Sequence, residues 1–180
     1  MEKTQSSAVA SAPLLPYGLI SALVSVLFYV ILYLNGTEAF MHPVAFLSYL
    51  IPITFAVLAC RKARKQTGFL EFGAALRITF GIQVLSFFAL TLFSYLLMNY
   101  FDPGFAERML QLTIQKTQEM LERFKVPQSE IDKQIKGVMS KDLFSLKAIL
   151  QNFAISCIVL FLFSLIIAAF VKKNKPEFQA

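Results

Sequence analysis

The sequence predicts an all-α polytopic membrane protein: four transmembrane helices, with an extramembrane helical hairpin between spans three and four. Three observations predict it. The 180 residues are 57% apolar and only 16% charged, with a mean hydropathy of +0.62, against about 45–50% and about 25% in an average soluble domain. Four apolar runs each approach the ~20 residues needed to cross about 30 Å of hydrocarbon. One long polar stretch, residues 101–147, holds eight basic and seven acidic residues and is nearly neutral. These proportions argue against an ordinary soluble enzyme, a disordered chain or a disulfide scaffold. The expected organisation is one membrane domain over residues 1–180, with spans at about 16–34, 43–60, 74–100 and 148–171.

Residues 1–13 are small and polar and read as a short disordered tail. The first apolar run follows, with Pro16 placed for a helix start. The run is long for the apolar core of a signal peptide, and no small-x-small cleavage pattern follows it. It therefore reads as an uncleaved span. Gly18, Ser21, Ala22 and Ser25 are small residues spaced for close contact with another helix. The second run carries Pro52 in its middle, which removes the bond to the Ser48 carbonyl and should bend the helix. Ser48 and Thr54 are candidates to satisfy freed backbone groups. Arg61, Lys62, Arg64 and Lys65 then read as a basic loop, with Thr67-Gly68 as a turn.

The third helix is expected from near Phe69 to about Tyr100. That is longer than the hydrocarbon slab, so its first turns, with Glu71 and Arg77, belong to the interface. Gln83 is the one amide deep in a span. An interhelical hydrogen bond is its simplest role, and a place in a substrate path is the other.

Asp102-Pro103-Gly104 breaks this helix. Phe105, Met109, Leu110, Leu112, Ile114, Met120, Leu121 and Phe124 then recur at helical spacing, with Glu107, Gln111, Gln115, Gln118 and Glu122 opposite. This amphipathic helix should end before Pro127. A second helix is expected after Ser129, with Asp132 three positions on as in a capping box. Its stripe is Ile131, Ile135, Val138 and Met139. Gln151 and Asn152 enter the last span, where water or headgroups solvate them.

Charge sets the expected orientation. The first connection, 35–42, has no Lys or Arg, whereas the second has four basic residues and the C-terminal tail has Lys172, Lys173 and Lys175. Cations that flank apolar runs mark the cytoplasmic side. Both termini and the second connection are therefore expected in the cytoplasm, with 101–147 outside. Arg61, Lys62, Arg64, Lys65, Lys172 and Lys173 are the topology determinants. Nucleic acid is not an expected partner, because no aromatic-basic surface accompanies the charge.

Cys60 and Cys157 sit at different depths and read as free thiols. His42, beside Pro43, reads as an interfacial side chain. Without a Cys-x-x-Cys or a second His there is no metal-ligand pattern. No set of titratable groups converges on a catalytic arrangement, and intramembrane charge, the usual sign of an ion path, is missing from the span interiors.

Several short motifs are similar to one family. They are Tyr17-Gly18-Leu19-Ile20, Gly68-Phe69-Leu70-Glu71-Phe72 after the basic turn, Tyr100-Phe101-Asp102-Pro103-Gly104-Phe105, and the lysine-rich end. The chain resembles, over nearly its whole length, the DUF4199 domain family of small four-span membrane proteins frequent in Bacteroidota. The resemblance implies a bacterial inner-membrane location. It carries over no reaction, ligand, cofactor or catalytic residue.

The functional expectation is a non-enzymatic membrane protein that holds or regulates a partner. That partner is another membrane protein or a second copy of the chain, with the lipid bilayer around both. The candidate interaction face is Phe105, Met109, Leu112 and Phe124. Packing of that stripe within the molecule or on the bilayer surface is its other reading. The alternative function is a small transporter or channel subunit acting as an oligomer, with Gln83 as its polar handle.

Overall fold

The computed structural model describes residues 13–139 and 145–173. The expected tail, Lys175, the 140–144 junction and the stripe side chains Val138 and Met139 lie outside the described residues. The described chain is all-helical. Helix α1 spans Leu14–Leu34, α2 Leu47–Thr67, α3 Phe72–Leu96, α4 Pro103–Arg123, α5 Gln128–Met139 and α6 Leu146–Val171. Two short 3-10 turns, Thr37–Phe40 and Pro43–Phe46, join α1 to α2. A π turn, Leu97–Phe101, ends α3. Four of these stretches are long and apolar enough to cross a membrane: Leu14–Leu34, Pro43–Thr67, Phe72–Phe101 and Leu146–Val171.

Several boundaries differ from the sequence expectation, each for a local reason. The basic stretch is not a loop. Helix α2 runs on through Arg61, Lys62, Arg64 and Lys65 to Thr67, because Lys and Arg are good helix formers. It stops at Gly68, whose φ of +78° is the left-handed cap conformation that glycine adopts without strain. Arg64 and Lys65 then lie in the last turn, where the helix dipole favours cations. Helix α3 begins at Phe72 rather than near Phe69. Leu70 is instead paired with Lys173 by two backbone hydrogen bonds of 2.8 Å. The capping box at Ser129 does not form, since α5 starts one residue earlier at Gln128. Asp132 instead accepts from the Gln128 side chain at 3.1 Å. Near Pro52, the Ser48 and Thr54 hydroxyls bond the carbonyls of Ala45 and Leu50, not that of Ser48.

Helix α3 is the centre of the bundle and touches α1, α2 and α6. It runs parallel to α1: Leu14 lies against Gly81, Ser21 against Ser86, and Tyr29 against Ser94. It runs antiparallel to α6: Phe80 faces Phe161 and Phe87 stacks on Phe153. Small residues permit this closeness. Gly18 sits so near α3 that a Cβ there would come within 2.8 Å of Leu85 Cδ2, and α2 buries Ala56, Ala59 and Ala63 completely.

Buried apolar residues form two clusters. One, at the cationic end, joins Ala56, Ala59, Cys60 and Ala63 to Leu70, Ala75, Ile78, Ile82 and Ala168. The other, at the opposite end, joins Leu97, Met98 and Phe105 to Tyr29, Tyr33, Phe40 and Met109. The hydroxyl and amide groups of Ser21, Ser86, Gln83 and Ser164 are also buried inside the bundle.

Candidate functional site

Gln83 and Ser86 lie on the inward side of α3. The Gln83 amide donates to Ser164 Oγ on α6 at 2.7 Å, and Ser164 in turn donates to the Leu160 carbonyl at 2.7 Å. The Ser86 hydroxyl donates to the Ile82 carbonyl at 2.9 Å and shares a 2.7 Å hydrogen bond with the Ser21 hydroxyl on α1. Gln83 therefore ties α3 to α6, through a partner that was not foreseen. One hydroxyl in this region, Ser25 Oγ, is buried without a hydrogen-bond partner.

The six cations gather at one end. Arg61, Lys62 and Lys65 are exposed and Arg64 is half-buried on the last turns of α2, while Lys172 and Lys173 are exposed just past α6. The Leu70–Lys173 backbone pair draws the end of α6 to the start of α3. Lys62 Nζ also lies 5.5 Å from the centroid of the Tyr17 ring, within cation–π range.

The opposite end is built around Asp102. This residue caps α4: its carboxylate accepts from the Phe105 amide at 3.0 Å, and Pro103 follows where the helix needs no N–H. The same carboxylate accepts from Tyr33 Oη at 3.0 Å and pairs with Arg108 at 2.7 Å. Desolvation pushes the Asp102 pKa up. Hydrogen bonds from Arg108, Tyr33 and the Phe105 amide, with the Arg108 charge, outweigh it and hold the carboxyl below its ordinary value. Farther along α4, Glu119 is lowered by the Lys116 ammonium and the Gln115 amide. The sequence reading took Asp102-Pro103-Gly104 only as a helix breaker. Asp followed by Pro and an apolar stripe is also a helix-start signal.

The candidate interaction face divides in two. Phe105 is buried, edge-on to Tyr33 at 5.0 Å and Phe40 at 5.6 Å. Met109 packs in the same cluster and Leu112 is buried as well. Phe124, at the far end of α4, is 75% exposed. The first three turns of the stripe thus seat α4 on α1 and the first connection. Helix α4 also touches α5, where Ile131 is buried.

Cys60 and Cys157 are both free. His42 is exposed and its Nδ1 accepts from the Val44 amide at 3.3 Å. Among the described residues no group of three or more His, Cys, Asp or Glu is placed to hold a metal ion.

No curated protein and no solved structure matches the chain. Four spanning-length helices, a capped amphipathic helix after the third and a cationic end after the second and fourth run the length of one family profile. That profile, described as a protein of unknown function (DUF4199), matches residues 16–173, and the chain belongs to this family.

Proposed function

We propose that the chain is a non-enzymatic protein of the bacterial inner membrane that holds or regulates another membrane component. The four-helix bundle is its anchor, and a helical hairpin of α4 and α5 outside the membrane is its working surface. One observation carries this reading. The deep amide Gln83 is bonded to Ser164, whereas Met120 and Phe124, one turn apart at the far end of the amphipathic α4, stand open to solvent.

Orientation is part of the proposal. The six cations share one end of the bundle, which favours that end in the cytoplasm together with both termini. Cysteine labelling in intact cells tests it, with Cys60 and Cys157 replaced and single cysteines placed at Arg64 and Gln118. Only the Gln118 position should react with an impermeant maleimide. Reaction of both from outside contradicts the arrangement.

Function is tested by photo-crosslinking from Phe124 in the native membrane, with lipid-facing Ile158 on α6 as reference. The expected result is a discrete protein adduct from Phe124 and none from Ile158. If Gln83→Leu instead abolishes a solute flux while Phe124→Glu is silent, the oligomeric transporter or channel subunit replaces this reading.

A further inference from the structure

The end of α1, the first connection and Lys116 of α4 line an open cleft of about 580 Å3 at the Asp102 end of the bundle, within the usual size of a small-molecule site. Phe28, Ile31 and Leu32 from the last turns of α1 form an apolar wall. The first connection brings Glu38 and His42 among apolar Ala39, Met41, Pro43 and Val44, and α4 adds Lys116. Ile31 is 54% exposed, so the apolar wall continues into the outer surface of the span. Since α1 ends at Leu34, the apolar wall lies at hydrocarbon depth and the polar groups lie beyond it.

The polar groups have bonding capacity to spare. Among the described residues the Glu38 carboxylate makes no hydrogen bond or ion pair. Lys116 is paired with Glu119 at 2.9 Å, which leaves two of its three N–H donors. His42 Nδ1 accepts from Val44, which leaves Nε2–H as a second donor. The cleft therefore offers one anionic acceptor, a cationic donor and an imidazole donor beside an apolar wall.

We propose that this cleft holds one phospholipid with an amine-bearing zwitterionic headgroup. An acyl chain lies along Phe28, Ile31 and Leu32. The headgroup ammonium donates to Glu38, and the phosphate accepts from Lys116 and His42 Nε2–H. A purely anionic headgroup leaves Glu38 unpaired beside it. A quaternary choline has no N–H to give Glu38. A soluble zwitterion leaves the apolar wall wet. The assignment goes beyond the proposed function and stands whether or not α4 meets a protein partner.

The test is native mass spectrometry of the delipidated full chain in detergent. Dioleoyl-phosphatidylethanolamine, -phosphatidylcholine and -phosphatidylglycerol are offered separately, and soluble O-phosphoethanolamine is a fourth probe. Phosphatidylethanolamine should be retained about tenfold better than the other two lipids, as befits one charge-assisted hydrogen bond. Glu38→Gln should lower it to the phosphatidylcholine level. Lys116→Gln should weaken both zwitterionic lipids. Glu107→Gln, on the exposed side of α4, should change nothing, and circular dichroism should show every variant folded. Equal retention of the three lipids, preference for phosphatidylglycerol, indifference to both cleft substitutions, or O-phosphoethanolamine bound as well as the lipid each overturns the assignment.

Discussion

Tyr33 donates a 3.0 Å hydrogen bond to Asp102, tying the last turn of α1 to the residue that caps α4. The bond joins positions 69 apart in sequence. It is reinforced from below by the edge-on contact of Tyr33 with Phe105. One carboxylate thus both caps α4 and ties its start to the end of α1.

Acid should release this tie. The Asp102 pKa is lower folded than unfolded, so its contribution to stability is complete above the ordinary carboxylate value. It is lost as pH falls through the depressed folded value. Hydrogen exchange of α4 amides, followed at falling pH, should show protection lost in that window. Asp102→Ala should show weak α4 protection at every pH. An unchanged acid response in Asp102→Ala would contradict this account.

The Gln83–Ser164 pair should respond asymmetrically. In Gln83→Leu the amide is gone and Ser164 keeps its bond to Leu160, so the loss should be about 0.6–2 kcal/mol. Ser164→Ala leaves the buried Gln83 amide without that partner, which should cost about 1–3 kcal/mol. Unfolding midpoints in detergent should therefore fall further for Ser164→Ala. The reverse order would show that Gln83 has another use.

Ser25→Ala should be neutral or stabilising. Its buried Oγ makes no hydrogen bond, so removing it deletes an unmet polar group and keeps the small volume. Ser21→Ala, one turn earlier, removes the hydroxyl partner of Ser86 on α1 and should lower the midpoint. A clear loss in Ser25→Ala would point to a bonded hydroxyl.

Gly18 should tolerate only the smallest change. An added Cβ meets the mobile tip of Leu85, which can rotate away, so Gly18→Ala should cost under about 1 kcal/mol. Gly18→Leu must push α1 from α3 and should cost about 1–3 kcal/mol. Separation of the helices should also break the Ser21–Ser86 contact, measurable as loss of crosslinking between cysteines at those two positions.

The four long apolar helices, the extended third one and the amphipathic helix after it were legible in the residue order. Each depends on local periodicity and on the cost of bare backbone in hydrocarbon, and both are carried by neighbouring residues. The grouping of cations after the second and fourth runs was equally plain, and only their placement on helix rather than loop was missed. Partner choice was not legible. Nothing local says that Gln83 meets Ser164, that Asp102 collects Tyr33, Arg108 and the Phe105 amide, or that Glu38 and Lys116 line one cleft. Those pairings depend on how α1, α3 and α6 rotate and slide against one another. Packing of small residues such as Gly18 and Ala63 settles that, and it joins residues remote along the chain. The stripe on α4 shows the division most clearly: its spacing announced an apolar face, and only the fold turned Phe105 inward while leaving Phe124 in the open.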